Sequence, residues 1–161
     1  MTDFVSKPSF ERMKQRELQF CILSKGCYQG KYVVHVYDKH DNKLRLDDEI
    51  TEENLTDARA ELIAFRRAMR HVFHTIQLSD RQYANIVFKS DNVMLINLLR
   101  EWLPRWIRDK SLAKRPNSDL LLEIYTLLQG LEIEIRWASQ TQDLKILEIK
   151  NDLLNFLELK N

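Results

Sequence analysis

The chain has 161 residues, of which 44% are hydrophobic and 30% charged, with only 3 glycines and 3 prolines. Ordinary usage would give about 11 glycines and about 8 prolines. The composition excludes a disordered chain, a collagen-like repeat and a glycine-rich phosphate loop. The length predicts one domain, which would bury about two thirds of the surface of its unfolded chain.

The net charge is +1, from 25 basic and 24 acidic residues, and the two signs are segregated along the chain. Residues 100–115 contain six basic and two acidic residues, whereas the balance tilts acidic between Asp38 and Glu61. A dedicated nucleic-acid-binding domain is usually strongly basic. Any binding to nucleic acid is therefore expected at the one basic segment.

The sequence gives no sign of membrane insertion or export. No apolar run approaches the about 18 residues of a membrane span. Residues 1–20 lack the apolar centre and cleavage site of a signal peptide. We therefore expect no membrane partner, a cytoplasmic location and two reduced cysteines.

The first half of the chain predicts an extension followed by three strands. Residues 1–16 have no clear period and are expected to form an N-terminal extension that can be flexible and could contact a protein partner. The domain itself is expected over 17–161. The apolar run Leu18–Leu23, ended by Ser24–Gly26, predicts the first strand, and the runs Lys31–Tyr37 and Lys43–Asp47 predict the next two. Their short turns predict an antiparallel meander.

The second half alternates helices and strands. In chain order it predicts a helix capped by Thr56, a strand at Asn85–Ser90, a helix interrupted or kinked at Pro104, a helix over Asp119–Gln129 capped by Asn117 or Ser118, a strand at Glu132–Trp137 and a helix from about Leu144. Strands separated by helices are usually parallel. The expected fold is thus α/β, with a five-stranded mixed sheet flanked by helices in the order β-β-β-α-β-α-α-β-α.

Six segments in this order resemble motifs of the ribonuclease H family. They are Thr56–Leu62 (T-D-A-R-A-E-L, against T-N-N-R-A-E-L), Ser90–Asn92, Glu101–Trp106, Asn117–Leu120, Ile133–Trp137 and Asn151–Leu154. The resemblance covers about residues 18–158 and implies a ribonuclease H-like fold. It also implies that Glu61, Asp91 and Asp152 are catalytic carboxylates that bind metal.

The chain departs from the family at the first strand, where family members carry an Asp that is usually followed by Gly-Ser. By spacing, that place falls on Ser24, 37 positions before Glu61, and Lys25 is adjacent to it. Hydrolysis in this fold uses two Mg²⁺ ions roughly 4 Å apart, and Mg²⁺ prefers oxygen ligands. A neutral hydroxyl beside an ammonium would bind the ions poorly. We therefore expect weak binding of Mg²⁺ or Mn²⁺ and little or no hydrolysis of RNA:DNA hybrids.

The resemblance also implies a surface for nucleic acid, because Glu101–Trp106 resembles the segment that opens a basic, duplex-gripping protrusion in some members. The expected partner is an RNA:DNA hybrid or another RNA-containing duplex. The residues expected to bind it are Thr56, Arg59, Trp102, Arg105, Trp106, Arg108, Lys110, Lys114 and Arg115. The family's two RNA-contacting Asn residues fall here on Asp57 and Ala58.

Two other functions stay open at the level of sequence. One is a divergent metal-dependent endoribonuclease that cuts the RNA strand of hybrids, with Asp38 or Asp41 as the replacement ligand. The other is a non-catalytic protein-interaction module on the same fold. Two of the three carboxylates also have an ordinary structural explanation, since Glu61 suits a helix start and Asp91 suits the cap of a helix. Asp152 is flanked by apolar residues on a helix, where a carboxylate is less usual.

Overall fold

The computed structural model describes residues 18–79 and 84–158. Within these residues, five strands form one mixed sheet in the order β3-β2-β1-β4-β5. The strands are β1 (Leu18–Cys27), β2 (Lys31–Tyr37), β3 (Lys43–Glu49), β4 (Ala84–Ser90) and β5 (Ile133–Trp137). The expected N-terminal extension, 1–16, and any protein contact through it lie outside the described residues.

Helices follow the third, fourth and fifth strands, so the predicted order of elements is confirmed. They are α1 (Asp57–Leu78), α2 (Val93–Asn97), α3 (Leu103–Arg108), α4 (Ser118–Gln129) and α5 (Leu144–Glu158), with a π-helical turn at Leu98–Trp102 and a 3₁₀ turn at Leu112–Lys114. The strands β1, β2 and β3 pair antiparallel, and β4 pairs parallel with both β1 and β5. Across the described ranges, no helix combines the length and the apolar character that a membrane crossing needs.

The central strand β1 extends further than its apolar run predicts. Ser24, Lys25 and Gly26, which were expected to end the strand, stay paired with β2. The connection to β2 is short, because Gly30 closes it with its amide donating to the Cys27 carbonyl at 3.0 Å. Gly30 has a φ of +90°, a conformation that glycine adopts without steric cost. The strand can therefore continue to Cys27.

Two cores lie on opposite faces of the sheet, because successive side chains of a strand point to opposite sides. Ile22 belongs to the larger core, which β1, β2 and β4 share with α1 and α4. Leu23 belongs to the smaller core beneath α5. This alternation places Ser24 on the α1 face of β1 and Lys25 on the α5 face.

Helix α1 lies unusually close to β1 where the two elements approach the candidate site. A Cβ atom on Gly26 would stand 2.3 Å from the carbonyl oxygen of Ala60, so no other residue fits there without a shift of the backbone. The helix begins as predicted at Thr56, whose Oγ1 accepts a hydrogen bond from the Arg59 amide at 3.1 Å.

The helix predicted after β4 is divided into α2, a widened π-helical turn and α3. Asn92 caps α2, since its side chain accepts a hydrogen bond from the Leu95 amide at 3.1 Å. Pro104 lies in the first turn of α3, where its missing N–H costs no hydrogen bond. The interruption at Pro104 is thus confirmed, and the π-helical turn accommodates it because proline clashes with a regular preceding turn.

Candidate functional site

Two parallel strands bring Lys25 and Asp91 together at one edge of the sheet. Leu23 of β1 pairs with Lys89 of β4, so Lys25 and Asp91 lie side by side two residues further along. The Lys25 Nζ donates to Asp91 Oδ1 at 2.6 Å, and the two side chains are 16% and 25% exposed. The edge at which the resemblance implies a metal centre therefore contains a salt bridge.

Ser24 does not face Asp91. Its side chain is buried on the α1 face of β1, and its Oγ has no hydrogen-bond partner among residues 18–79 and 84–158. The residue of β1 that reaches Asp91 is the next one, Lys25. The spacing to Glu61 assigned the position of the family's Asp to Ser24. In the structure, the group of β1 that lies beside Asp91 is the ammonium of Lys25.

Glu61 is brought to the same edge by α1. Its carboxylate is only 7% exposed, and Oε1 accepts from the Gly26 amide at 3.4 Å. Oε2 has no hydrogen-bond partner in the described part of the chain. Burial raises the pKa of Glu61 to about 7, against the opposing effect of the Lys25 charge. The group is thus close to half protonated at neutral pH.

A cavity of about 110 Å³ adjoins Glu61 on the side of the π-helical turn. Trp102 and Met94 form part of its wall, together with mainly apolar side chains. Glu61 therefore lies beside an apolar surface, which explains why its carboxylate is poorly solvated.

Asp152 lies on α5, which packs on β1 and β2, and its side chain contacts one residue of β2 and one of β3. Its Oδ2 lies 2.8 Å from Nε2 of His35 and 3.4 Å from a guanidinium nitrogen of Arg45. His35 is fully buried, and this burial lowers the pKa of its imidazole against the opposing effect of Asp152. Because an ionised carboxylate only accepts hydrogen bonds, Nε2 of His35 is the donor to Asp152. Asp152 thus fastens α5 to the sheet.

The three carboxylates that the resemblance implies as ligands are Glu61, Asp91 and Asp152. In the described ranges, no three His, Cys, Asp or Glu side chains are grouped so that they could hold a metal ion. The structure therefore keeps Glu61 and Asp91 at the edge beside Lys25, and it does not bring Asp152 into one ligand set with them.

The proposed replacement ligands Asp38 and Asp41 lie in the turn after β2. Asp38 accepts hydrogen bonds from the amides of His40 and Asn42 at 2.8 and 2.9 Å, which closes the turn. Asp41 pairs with Lys145 at 3.3 Å. The turn follows Tyr37, which pairs with Cys21 of β1. Cys21 and Lys25 are four residues apart, which is about 13 Å along the strand at the usual rise per residue. These carboxylates do not reach the site.

Two of the residues expected to bind nucleic acid have structural roles. The Thr56 side chain caps α1. The guanidinium of Arg59 bonds Glu52 at 2.6 Å, Asn117 at 3.3 Å and Asp119 at 2.9 and 3.1 Å. These acidic partners raise the pKa of Arg59 and neutralise its charge. Arg59 therefore ties the start of α1 to the start of α4.

Aromatic and basic side chains form a second feature beside α3. The rings of Trp102 and Trp106 are stacked, with centroids 6.2 Å apart and an interplanar angle of 29°. The guanidinium of Arg115 lies 4.5 Å from the centroid of the Trp106 ring, within cation–π range. Both tryptophans are half-buried, so each keeps part of its ring accessible.

The basic segment around this stack is exposed. Its members are Arg105, Arg108, Lys110, Lys114 and Arg115. None of the five forms an ion pair with any residue in 18–79 or 84–158. We call these five cations, with Trp102 and Trp106, the basic platform. Its charge is available to a ligand, unlike that of Arg59.

No family model and no curated protein matches the chain, but solved structures do. LC11-RNase H1, isolated from compost and solved in complex with an RNA/DNA hybrid, matches with a TM-score of 0.56 at 14% identity, over 81% of this chain and 92% of that one. The chain has a ribonuclease H-like fold. LC9-RNase H1 matches with a TM-score of 0.55 at 17% identity, over 76% of this chain.

The chain spans 63% of the length of LC9-RNase H1, which is described as a type 1 RNase H with the type 2 active-site motif. The prototype foamy virus protease-reverse transcriptase also matches, with a TM-score of 0.53 at 13% identity, over 76% of this chain and 18% of that one. At these identities the similarity concerns the fold, and the resemblance inferred from the six motifs is confirmed at that level.

Sequence reasoning within the ribonuclease H-like fold missed Lys25 as a site residue. The signal that could have indicated Lys25 is the glycine after it. The family's Asp is usually followed by Gly-Ser, and in this chain Lys25 is followed by Gly26 and Cys27. Spacing to Glu61 points to Ser24, whereas the residue of β1 that contacts Asp91 is Lys25. Gly26 is the better anchor, since its close approach to Ala60 admits only glycine.

Proposed function

We propose that this protein binds an RNA:DNA hybrid or another RNA-containing duplex and hydrolyses it little or not at all. The observation that carries the proposal is the salt bridge between Lys25 and Asp91 at 2.6 Å, at the edge of the sheet where the fold's metal centre is expected. The fold and the basic platform support the binding part of the proposal.

The residues at this edge do not fit a pair of divalent cations. Mg²⁺ takes oxygen ligands in octahedral geometry, and one Asp91 oxygen is already bonded to an ammonium. Like charges about 4 Å apart repel by about 4 kcal/mol per pair of unit charges near a protein surface, and the repulsion doubles for a divalent ion. Glu61 is buried, and its Oε1 already accepts from the Gly26 amide. The site therefore lacks the free carboxylate oxygens that two-metal hydrolysis needs.

The binding part of the proposal rests on charge and on stacking. The five cations of the basic platform lack acidic partners in the described residues, and the stacked, half-buried rings of Trp102 and Trp106 lie beside them. LC11-RNase H1, which has the same fold, was solved with an RNA/DNA hybrid. Contacts of this kind go mainly to the phosphate backbone, so binding should depend on salt and be largely indifferent to sequence.

The catalytic and binding parts are tested together on one labelled RNA:DNA hybrid. In Mg²⁺ or Mn²⁺ we expect no cleavage above background, while a gel-shift or anisotropy titration at low salt detects a complex. Turnover at the rate of an ordinary ribonuclease would refute the catalytic part. The absence of any complex at low salt would refute the binding part.

The binding surface is tested with two triple variants that remove the same charge. Arg108→Ala, Lys110→Ala and Lys114→Ala together should weaken hybrid binding about tenfold or more and flatten the dependence of log affinity on log salt by about two to three units. The control removes Arg70, Arg136 and Lys145, which pair with carboxylates elsewhere. Equal losses in the two variants would contradict a local binding surface.

A further inference from the structure

We propose that the Lys25 ammonium itself contacts a backbone phosphate of the bound nucleic acid, in the place of a divalent cation, so that binding at this edge needs no metal. The inference rests on the proposed function and adds to it a specific contact outside the basic platform.

The charge of the edge favours this role. The family has an Asp on this strand, and this chain has Lys25 beside Asp91. Exchanging that carboxylate for an ammonium raises the local charge by two units, which equals the charge of one Mg²⁺. Lys25 neutralises Asp91, so an approaching phosphate does not meet an uncompensated pair of carboxylates. A fixed cation at about 4 Å from a phosphate attracts it, and the attraction grows as water is excluded.

The geometry leaves the ammonium free to donate further. A lysine ammonium has three N–H donors. One is used by Asp91, and no other acceptor among residues 18–79 and 84–158 takes a hydrogen bond from Lys25. Its side chain is 16% exposed at the end of the sheet, and we expect a phosphate oxygen to reach the unused donors from this exposed side.

A second salt bridge on the same face of the sheet supplies a matched control. Lys89 of β4 donates to Asp143 at 2.9 Å, and both side chains are 19% exposed. Asp143 also accepts from the Lys145 amide at 3.0 Å and so caps the start of α5. The Lys89 pair therefore resembles the Lys25 pair in distance and exposure, but it holds α5 in place.

The experiment titrates a labelled RNA:DNA hybrid at low salt, in excess EDTA and in Mg²⁺, with wild type and four variants. Wild-type affinity in EDTA should equal or exceed the affinity in Mg²⁺ at matched ionic strength, because Mg²⁺ competes with the protein for the phosphates. Lys25→Met should weaken binding about five- to tenfold and lower the salt slope by about one, while Lys89→Met leaves both unchanged. Lys25→Arg should keep most of the affinity. Asp91→Asn should tighten binding about threefold, because it releases the ammonium from its partner.

Asp91→Asn gives the sharpest answer, since a metal-dependent site would lose affinity where an ammonium site gains it. It also retains Lys25, so it serves if Lys25→Met fails to fold by circular dichroism. A requirement for Mg²⁺, equal effects of Lys25→Met and Lys89→Met, or weaker binding by Asp91→Asn would each overturn the inference and leave the proposed function standing. The absence of wild-type binding in both buffers would overturn both.

Discussion

Glu61 links the stability of the protein to pH near neutrality. Its pKa in the folded protein is about 7, raised by burial from 4.5. Below about pH 4.5 the group is protonated in both the folded and the unfolded chain. As the pH rises from 4.5 towards 7, the unfolded chain releases its proton first, so the free energy of unfolding falls. Above pH 7 the loss is complete and amounts to about 3 kcal/mol at most.

Glu61→Gln should remove this dependence, because the amide never ionises and can still accept from the Gly26 amide. Urea unfolding at a series of pH values should show the variant up to about 3 kcal/mol more stable than wild type above neutrality. The control is Glu148→Gln. Lys43 lowers the pKa of Glu148, so the stability that Glu148 contributes is lost as the pH falls. The Glu148→Gln variant still contains Glu61, so its free energy of unfolding should still decline between pH 4.5 and 7. A similar decline in Glu61→Gln would contradict the assignment.

At the scale of elements, the close packing of α1 on β1 depends on Gly26. Gly26→Ala would place a Cβ 2.3 Å from a backbone oxygen of α1, so the helix must move or the strand must bend. We expect a loss of at least about 2 kcal/mol, measured by chemical unfolding. Gly130→Ala is the control, because its Cβ comes closest to the Phe73 side chain, at 3.0 Å, and lies 3.8 Å from the nearest backbone atom, the Leu127 oxygen. If both variants lose the same stability, the close approach at Gly26 is not the cause.

The same elements indicate what the sequence could predict. Periodicity and capping residues predicted each strand and the start of α1 within a few residues, because these signals act over short distances. The continuation of β1 to Cys27 depends on pairing with β2, which leaves no local pattern. Pro104 predicted an interruption of the helix, but not that the interruption would take the form of a π-helical turn. The site could be predicted only in part. Glu61 and Asp91 lie in short segments that resemble family motifs, whereas the partners of Asp152 and Arg59 come from distant segments of the chain.

Considered as a whole, the molecule separates its cations into two groups. Arg59, Arg66, Lys89 and others hold elements together through acidic partners. The basic platform keeps its charge unpaired in the described ranges, and the net charge of +1 conceals this local excess. A duplex should therefore be held at one side of the molecule, with Lys25 at the adjoining edge of the sheet.

A protein that holds a hybrid without cutting it should shield the hybrid from an enzyme that does cut. We expect that adding this protein at low salt slows cleavage of a labelled RNA:DNA hybrid by an active ribonuclease H, in proportion to the fraction of hybrid bound. Raising the salt should remove the protection, because counterion release weakens backbone binding steeply. The triple variant of the basic platform should protect about tenfold less well at equal concentration, matching its loss of affinity. Cleavage that proceeds unchanged at concentrations where the gel shift is complete would contradict shielding, since it would mean that the complex leaves the RNA strand open to attack.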